Sequence, residues 1–289
     1  MCSKLLKLIL FADDTTIIYS STDLNLLINT INKELLHLSG WFNANKLSLN
    51  ISKTNYMIFN NHKNSIHHSD VLIGQKKITK VHSTKFLGVE IDDKLTWVNH
   101  TKLVEKKLSF ANFILRNIRY KINKNTAFKL YDSLVLPHLI YCNAIWGNAY
   151  KTYTLNIFRL QKRILRLCCD EKSLSRVDLF IKSNKLSFYN LNKFQTAQLV
   201  FKFFHNVNIL PNSTASLFKK ISDVHHFHTR SLDALCLFNH FAKLNTRKSS
   251  VKIHAPALWN EIPEYIRKIS TIKLFKKTYK AFIQANSDD

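Results

Sequence analysis

Two adjacent carboxylates, Asp13 and Asp14, interrupt an apolar, β-prone stretch near the beginning of the chain, LILFADDTTIIYS at residues 8–20. Successive residues of a regular strand point to opposite faces, so neighbouring aspartates inside a strand could not converge on one ligand. At the tip of a hairpin they can. We therefore predict strands at 5–11 and 15–20, with Ala12 and the two acids in or beside the tight connection. A hairpin that presents two carboxylates suggests a site for a divalent cation.

The elements expected around this pair change in character near residue 95. Before it, short β-prone runs alternate with one amphipathic helix that begins at Asp23, and further strands are predicted at 56–59, 71–73, 78–81 and 86–91. After it, apolar residues recur with helical period. The clearest helical segments there are 98–118, 126–136, 155–168, 190–206 and 270–284. The sequence therefore predicts an α+β fold with its strands in the first third.

The chain is strongly basic. Its 289 residues include 43 Lys and Arg against 19 Asp and Glu, which gives a formal charge of +24. A polyanion is then the expected partner, and nucleic acid is the commonest one. Codon usage rich in A and T favours Lys, Asn, Ile and Phe and is an alternative source of the lysines, although it does not account for so few acids. A basic surface without a ligand stays open as the second interpretation.

One predicted helix, at 155–168, gathers four of these cations. They are Arg159, Lys162, Arg163 and Arg166. Spacings of three and four residues place them on one face, where they could follow a phosphate backbone as a nucleic-acid-binding surface. A solvated charged face is the alternative, and it is equally open for this helix taken singly.

Cysteine usage and hydropathy indicate the setting. The five cysteines include no CxxC pair, so neither a zinc ribbon nor a disulfide framework is expected, and a reducing compartment is favoured. No window approaches the roughly 18 consecutive apolar residues of a membrane span. We therefore expect a soluble, intracellular protein without membrane contact, in the nucleus or the cytoplasm. Two histidine groups, 67–68 and 225–228, are interpreted as loop residues, because neither has a second ligand group at tetrahedral spacing.

Three spaced segments narrow the chemistry when they are read together. They are FADD at 11–14, WFNANKLSLNISKTNYMIF at 41–59 and KFLGVEIDDKLTW at 85–97. In this order and spacing they resemble the second half of the palm of a reverse transcriptase, the RNA-directed DNA polymerase of non-LTR (LINE-type) retrotransposons. A fourth segment, HAPALWNEIPEYIRKISTIKLFKKTYKAFI at 254–283, is similar to the closing region of such polyproteins.

The resemblance implies roles for particular residues. Asp13 and Asp14 match the aspartate pair that holds Mg²⁺ in two-metal nucleotidyl transfer. Lys53 matches the lysine proposed to neutralise or protonate the departing pyrophosphate, a role that a long cationic side chain suits. The segment Phe86, Leu87 and Gly88 matches the hairpin that grips the primer end. A plain buried strand is the open alternative for that last segment.

The same resemblance implies a domain organisation and partners. Residues 1–95 would form the C-terminal half of a partial polymerase palm, 96–150 a mostly α-helical thumb-like region, and 151–289 a helical C-terminal region of unknown role. The implied partners are an RNA template, a DNA primer or their hybrid, and deoxynucleoside triphosphates; the oligomeric state stays open.

The resemblance covers only the C-terminal part of such a polymerase. We therefore expect an N-terminally truncated form that lacks the upstream third carboxylate and the fingers, and no polymerase activity of the chain by itself, with Mg²⁺ bound weakly or not at all. Two other functions stay open. One is a non-catalytic, basic nucleic-acid-binding protein, and the other is a helical protein-interaction module.

Overall fold

A computed structural model describes residues 6–60, 69–170, 175–205, 210–224 and 235–286. The chain divides into two compact units, residues 1–86 with 91–94 and residues 87–90 with 95–289. The first contains short strands and one long helix, and the second is built mainly of helices. The fold belongs to the α+β class, as predicted. Both histidine groups named above, 67–68 and 225–228, lie outside the described residues.

The first unit begins with an antiparallel hairpin of β1 (Lys7–Phe11) and β2 (Asp14–Ile18). Its register pairs Phe11 with Asp14, so a two-residue turn joins the strands, as the predicted hairpin requires. The long helix α1 (Leu24–Ala44) follows. The remaining strands are β3 (Asn55–Tyr56), β4 (Leu72–Ile73), β5 (Lys76–Lys77), β6 (Thr79–Lys80), β7 (Ser83–Phe86) and β8 (Val89–Asp92).

Helix α1 organises the small core of this unit. Asp23 is its N-cap, not its first residue, because the Asp23 carboxylate accepts a hydrogen bond from the backbone N–H of Asn25 at 2.8 Å. Asn32 ties the helix to β4: its amide nitrogen donates to the Asp70 carbonyl and its amide oxygen accepts from the Leu72 N–H, both at 2.9 Å. The buried apolar residues of this core are Ile28, Leu35, Val71, Ile73 and Ile78.

The four later strand segments differ from the predicted ones in extent or pairing. The run predicted at 56–59 contributes only Tyr56 to β3. The hairpin expected at 71–73 and 78–81 is formed by β4 and β5, whereas β6 pairs in parallel with β3. The segment 86–91 is not one strand, because Leu87 and Gly88 form the turn between β7 and β8. Both turn residues have positive φ, 46° and 84°, which is the conformation that reverses a two-residue hairpin. A leucine at such a position gives no turn signal in the sequence.

Helices dominate the second unit. They are α2 (Val98–Ile118), α3 (Lys124–Leu134), α4 (Leu136–Ile140), α5 (Asn143–Trp146), α6 (Lys151–Cys169), α7 (Arg176–Ser183), α8 (Phe188–His205), α9 (Asn212–Ala215), α10 (Asn245–Lys248), α11 (Val251–Glu261), α12 (Glu264–Arg267) and α13 (Ile272–Ala285). Short 3-10 turns lie at Arg119–Lys121 and Ile221–Asp223. Pro137 lies in the first turn of α4, where its missing N–H breaks no helical hydrogen bond, so it separates α3 from α4.

One hydrophobic cluster joins these helices from α2 to α13. Its largest fully buried side chains are Trp146, Trp259, Tyr131, Phe188, Phe201 and Phe275. The ring centroids of Phe201 and Phe275 lie 4.5 Å apart, and the Trp259 indole donates a hydrogen bond to the Leu235 carbonyl at 2.8 Å. Helix α6 contributes Ile157, Ile164 and Leu165 to this cluster, whereas Arg159 and Arg163 of the same helix are exposed. No helix within the described ranges is both long enough and apolar enough to cross a lipid bilayer.

Candidate functional site

The two aspartates of the first hairpin lie at its turn. Ala12 adopts a positive φ of 48°, which allows the chain to reverse, and Asp14 opens β2 opposite Phe11. Asp13 and Asp14 are both exposed, so their carboxylates face solvent instead of packing in a core. Successive side chains of a strand point to opposite faces, but this rule does not hold within a turn. The two acids are therefore not forced onto opposite faces of the hairpin.

The surface around the acids is apolar. Leu10 and Phe11, which directly precede the turn, are 72% and 60% exposed. An aromatic side chain this open beside two acids is available to contact a ligand, and it contributes little to the core. The hairpin therefore presents charge and an apolar ring side by side.

The donor set suits a hard divalent cation but is small. Carboxylate oxygens are the ligands that Mg²⁺ prefers, and the ion keeps several waters when few protein groups are available. Within the described part of the chain, no group of three or more His, Cys, Asp and Glu residues is placed to hold a metal. Two carboxylates are fewer ligands than an octahedral shell requires, so a cation at this turn would need further ligands.

Lys53 lies in the turn that follows α1. The side chain of Asn50 organises this turn: its amide oxygen accepts from the Ser52 hydroxyl at 2.7 Å and from the Lys53 N–H at 3.3 Å. The Lys53 side chain is exposed. Among the described hydrogen bonds and ion pairs, none links Lys53 with Asp13 or Asp14, so their predicted cooperation rests on the resemblance.

The segment predicted to grip a primer is the tip of the β7–β8 hairpin. The Tyr141 hydroxyl donates to the Leu87 carbonyl at 2.5 Å. A Cβ atom built on Gly88 would lie 3.3 Å from Cε1 of the same tyrosine. The turn therefore packs its backbone against one aromatic ring, and both Leu87 and Gly88 stay exposed. Sequence reasoning did not identify Tyr141, which lies far away in the chain.

The four cations predicted on α6 line one groove. Its volume is about 410 Å³, and the lining consists of Arg119, Arg159, Lys162, Arg163, Arg166 and Leu167. Arg119 is the member that sequence reasoning missed. It lies in the 3-10 turn after α2, outside the periodic pattern that pointed to α6, and so carried no local signal. The structure thus adds a fifth cation to the predicted basic face.

Comparison with curated proteins finds similarity to RNA-directed DNA polymerases of transposable elements. The chain is 24% identical over 160 residues to the probable RNA-directed DNA polymerase from transposon X-element of Drosophila melanogaster. It is 26% identical over 160 residues to the polymerase from mobile element jockey of Drosophila funebris. Each match covers 54% of this chain and 17% of the relative.

A longer match extends to the jockey polymerase of Drosophila melanogaster, with 24% identity over 212 residues, or 71% of this chain and 22% of the relative. These matches confirm the predicted similarity to reverse transcriptases of non-LTR retrotransposons. The chain corresponds to about a fifth of the length of these curated relatives. No protein-family model matches the chain, and no solved structure matches it.

Proposed function

We propose that this chain contributes the metal-binding hairpin and the thumb to an RNA-directed DNA polymerase of the non-LTR retrotransposon type. The observation that carries the proposal is the β1–β2 turn, which exposes Asp13 and Asp14 beside Phe11. The similarity to polymerases of transposable elements supports the same assignment. The complete enzyme would use an RNA template, a DNA primer and deoxynucleoside triphosphates.

The acids define the chemistry of the proposed site. Asp13 and Asp14 would hold Mg²⁺, which when bound supplies Lewis-acid activation of a primer 3′-hydroxyl and neutralises triphosphate charge. The small side chain of Ala12 leaves the turn open to a primer end. Phe11 offers an aromatic face beside the acids, and the exposed ammonium group of Lys53 would neutralise or protonate the pyrophosphate that leaves.

The outer face of α2 fits a thumb. Phe110 and Phe113 are 65% and 61% exposed, although aromatic side chains of this size are usually buried. Lys106 and Arg116 are exposed on the same helix. A face that alternates cations with aromatic rings suits a nucleic-acid duplex, because the cations attract phosphates and the rings pack against sugars and bases.

The proposal includes the behaviour of these 289 residues expressed alone. Two-metal transfer in this class uses a third carboxylate, which the resemblance places on another strand of the palm. Two carboxylates bind Mg²⁺ weakly and do not position two ions and a nucleotide. Primer extension by this polypeptide alone should therefore stay at background, and magnesium-dependent extension that is lost in Asp13→Asn would contradict this part of the proposal.

The metal site can be tested without activity. Mn²⁺ is a paramagnetic substitute for Mg²⁺, and its binding to the chain is measured by electron paramagnetic resonance. We expect weak binding that the double variant Asp13→Asn/Asp14→Asn abolishes, since amides neutralise the carboxylates at nearly constant size.

A matched control removes a second adjacent aspartate pair of the same unit, as Asp92→Asn/Asp93→Asn. Asp93 is already paired with His82, with 2.7 Å between Oδ2 and Nδ1, and Asp92 is only 8% exposed. This control should bind Mn²⁺ like the unmodified chain. Equal loss in both variants, or retention in the first, would refute the assignment of the metal to the β1–β2 hairpin.

The position of the primer end can be tested with the same variants. Fe²⁺ bound in place of Mg²⁺ generates hydroxyl radicals in the presence of ascorbate and peroxide, and these cleave nucleic acid within reach. An RNA–DNA hybrid bound to the chain should be cut near the primer 3′ end, and the Asp13→Asn/Asp14→Asn variant should not cut it. Cutting that is uniform along the hybrid would contradict the proposed placement.

A further inference from the structure

The groove beside α6 concentrates positive charge within a short distance. Arg159, Lys162, Arg163 and Arg166 recur at helical spacings, and a rise of 1.5 Å per residue places the first and last about 10 Å apart along the axis. This length corresponds to roughly three phosphates of a strand that rises 3.4 Å per nucleotide. Arg119 lines the groove from a different element, so the cations are not confined to one helix face.

Neutralisation within the protein is incomplete. Of the ion pairs that the structure describes, one involves a groove residue: Arg119 Nη2 lies 4.0 Å from Asp170 Oδ1, and the Asp170 side chain is 76% exposed. A pair this long, with its carboxylate in solvent, contributes little. Arg159 and Arg163 are exposed and take part in none of the described ion pairs. These two side chains therefore keep positive charge available for an anion.

An exposed aromatic side chain lies beside Arg119. Tyr120 is 79% exposed, and the Arg119 guanidinium lies 4.1 Å from its ring centroid. Arg119 also donates a hydrogen bond to the Tyr120 hydroxyl. Arginine covers one face of the ring and thereby holds it in place, while the high exposure leaves other parts of the ring accessible to a nucleic-acid base.

We infer that this groove is a binding site for a single nucleic-acid strand, with phosphates along α6 and one base stacked on Tyr120. Cations alone would accept any polyanion, but an exposed ring next to them selects a strand whose bases are unpaired. RNA and DNA strands share this chemistry. The site is distinct from the proposed polymerase function, because none of its residues is assigned to the metal, the pyrophosphate or the primer end.

The test measures binding of the full chain to a short fluorescent oligouridylate by anisotropy, in EDTA, over a salt series. The variant Arg159→Glu/Arg163→Glu reverses two exposed cations of the groove. The control Lys273→Glu/Lys276→Glu makes the same change of charge at exposed positions of α13. The groove variant should lose on the order of tenfold or more in affinity, and its salt slope should fall by about 1.4, or roughly 0.7 for each phosphate contact.

The control should lose less than about threefold, because its lysines act only through long-range charge. Equal losses in the two variants would refute the site and indicate a diffuse basic surface. Circular dichroism verifies that each variant folds, and Arg159→Gln/Arg163→Gln replaces the groove variant if the reversed charges disturb α6.

Two further variants are informative. One distinguishes binding of a single strand from binding of a duplex, and the other distinguishes this site from the metal site. Tyr120→Ala should lower the affinity for oligouridylate and oligothymidylate about fivefold or more, because their unpaired bases can stack on the ring. The affinity for an RNA–DNA hybrid should be nearly unchanged, because its bases are paired. A hybrid that binds as tightly as the strands and depends equally on Tyr120 would overturn the inference. The Asp13→Asn/Asp14→Asn variant should bind the strands normally, and a loss as large as in the groove variant would contradict the independence of the site.

Discussion

Gln161 connects three buried groups beneath the basic face of α6, and its replacement by leucine should destabilise the helical unit strongly. The Gln161 amide nitrogen donates to the Tyr131 hydroxyl and to the Leu186 carbonyl, both at 2.9 Å. Its amide oxygen accepts from the Phe188 N–H at 2.7 Å. The side chains of Tyr131, Gln161 and Phe188 are inaccessible to solvent, so water cannot substitute for the lost amide.

The magnitude follows from these three bonds. Each buried group left without a partner costs about 1–3 kcal/mol, which gives a simple sum of about 3–9 kcal/mol. Burying a leucine side chain in its place returns about 1.5–3 kcal/mol. Because neighbouring groups relax after a substitution, we expect Gln161→Leu to lower the free energy of unfolding by about 3–5 kcal/mol.

Urea unfolding followed by far-ultraviolet circular dichroism measures this loss, since the signal is dominated by the helices. The matched control is Gln198→Leu, at a glutamine of α8 that is 9% exposed. The Gln198 amide makes one described bond, to the Phe194 carbonyl of its own helix at 3.1 Å. Gln198→Leu should lower the free energy of unfolding by less than about 1.5 kcal/mol.

If Gln161→Leu and Gln198→Leu cost the same at unchanged denaturant slopes, the three-way hydrogen bonding of Gln161 does not stabilise the fold. A changed slope in one variant would instead show that its denatured state is altered or that it does not unfold in two states. In that case, hydrogen exchange of the Phe188 amide measures directly whether the loss of Gln161 weakens this region.

Burial, with a smaller contribution from Lys107, lowers the pKa of His100 from its ordinary value of 6.5 to about 4. The unfolded chain takes up the proton first, so the free energy of unfolding should fall between about pH 6.5 and pH 4, and less in His100→Asn, as urea titrations at each pH would show. Gly147→Ala should cost about 1–3 kcal/mol in thermal melts, because its Cβ would lie 2.6 Å from Asn143 and Asn192 atoms. Gly40→Ala, inside α1 with no atom within 4 Å of the new Cβ, should instead stabilise by about 0.5–1 kcal/mol. Leu87→Asn should stabilise the β7–β8 hairpin by up to about 1 kcal/mol, because asparagine tolerates the positive φ of 46° better than leucine, and slower hydrogen exchange of the hairpin amides would show it.

Local patterns predicted much of the fold. The first hairpin, α1, α2 and α6 occur where period-two or helical patterns place them, because each pattern reports which face of one element is apolar. The acid pair was found for the same reason, since two charges between apolar runs mark a turn. The reversal at Leu87 and Gly88 was missed, because flanking β-prone residues resemble a continuous strand and leucine rarely adopts positive φ.

The sequence by itself determined the class of fold, the positions of the two acids on a hairpin and the similarity to retrotransposon polymerases, all of which depend on residues close together in the chain. Only the tertiary structure decided that Arg119 joins the cations of α6, that Gln161 bonds to three distant groups, and that Tyr141 packs on Gly88. Those contacts arise from the packing of helices around a shared core, and packing at long sequence separation leaves no periodic signal in the residues that it brings together.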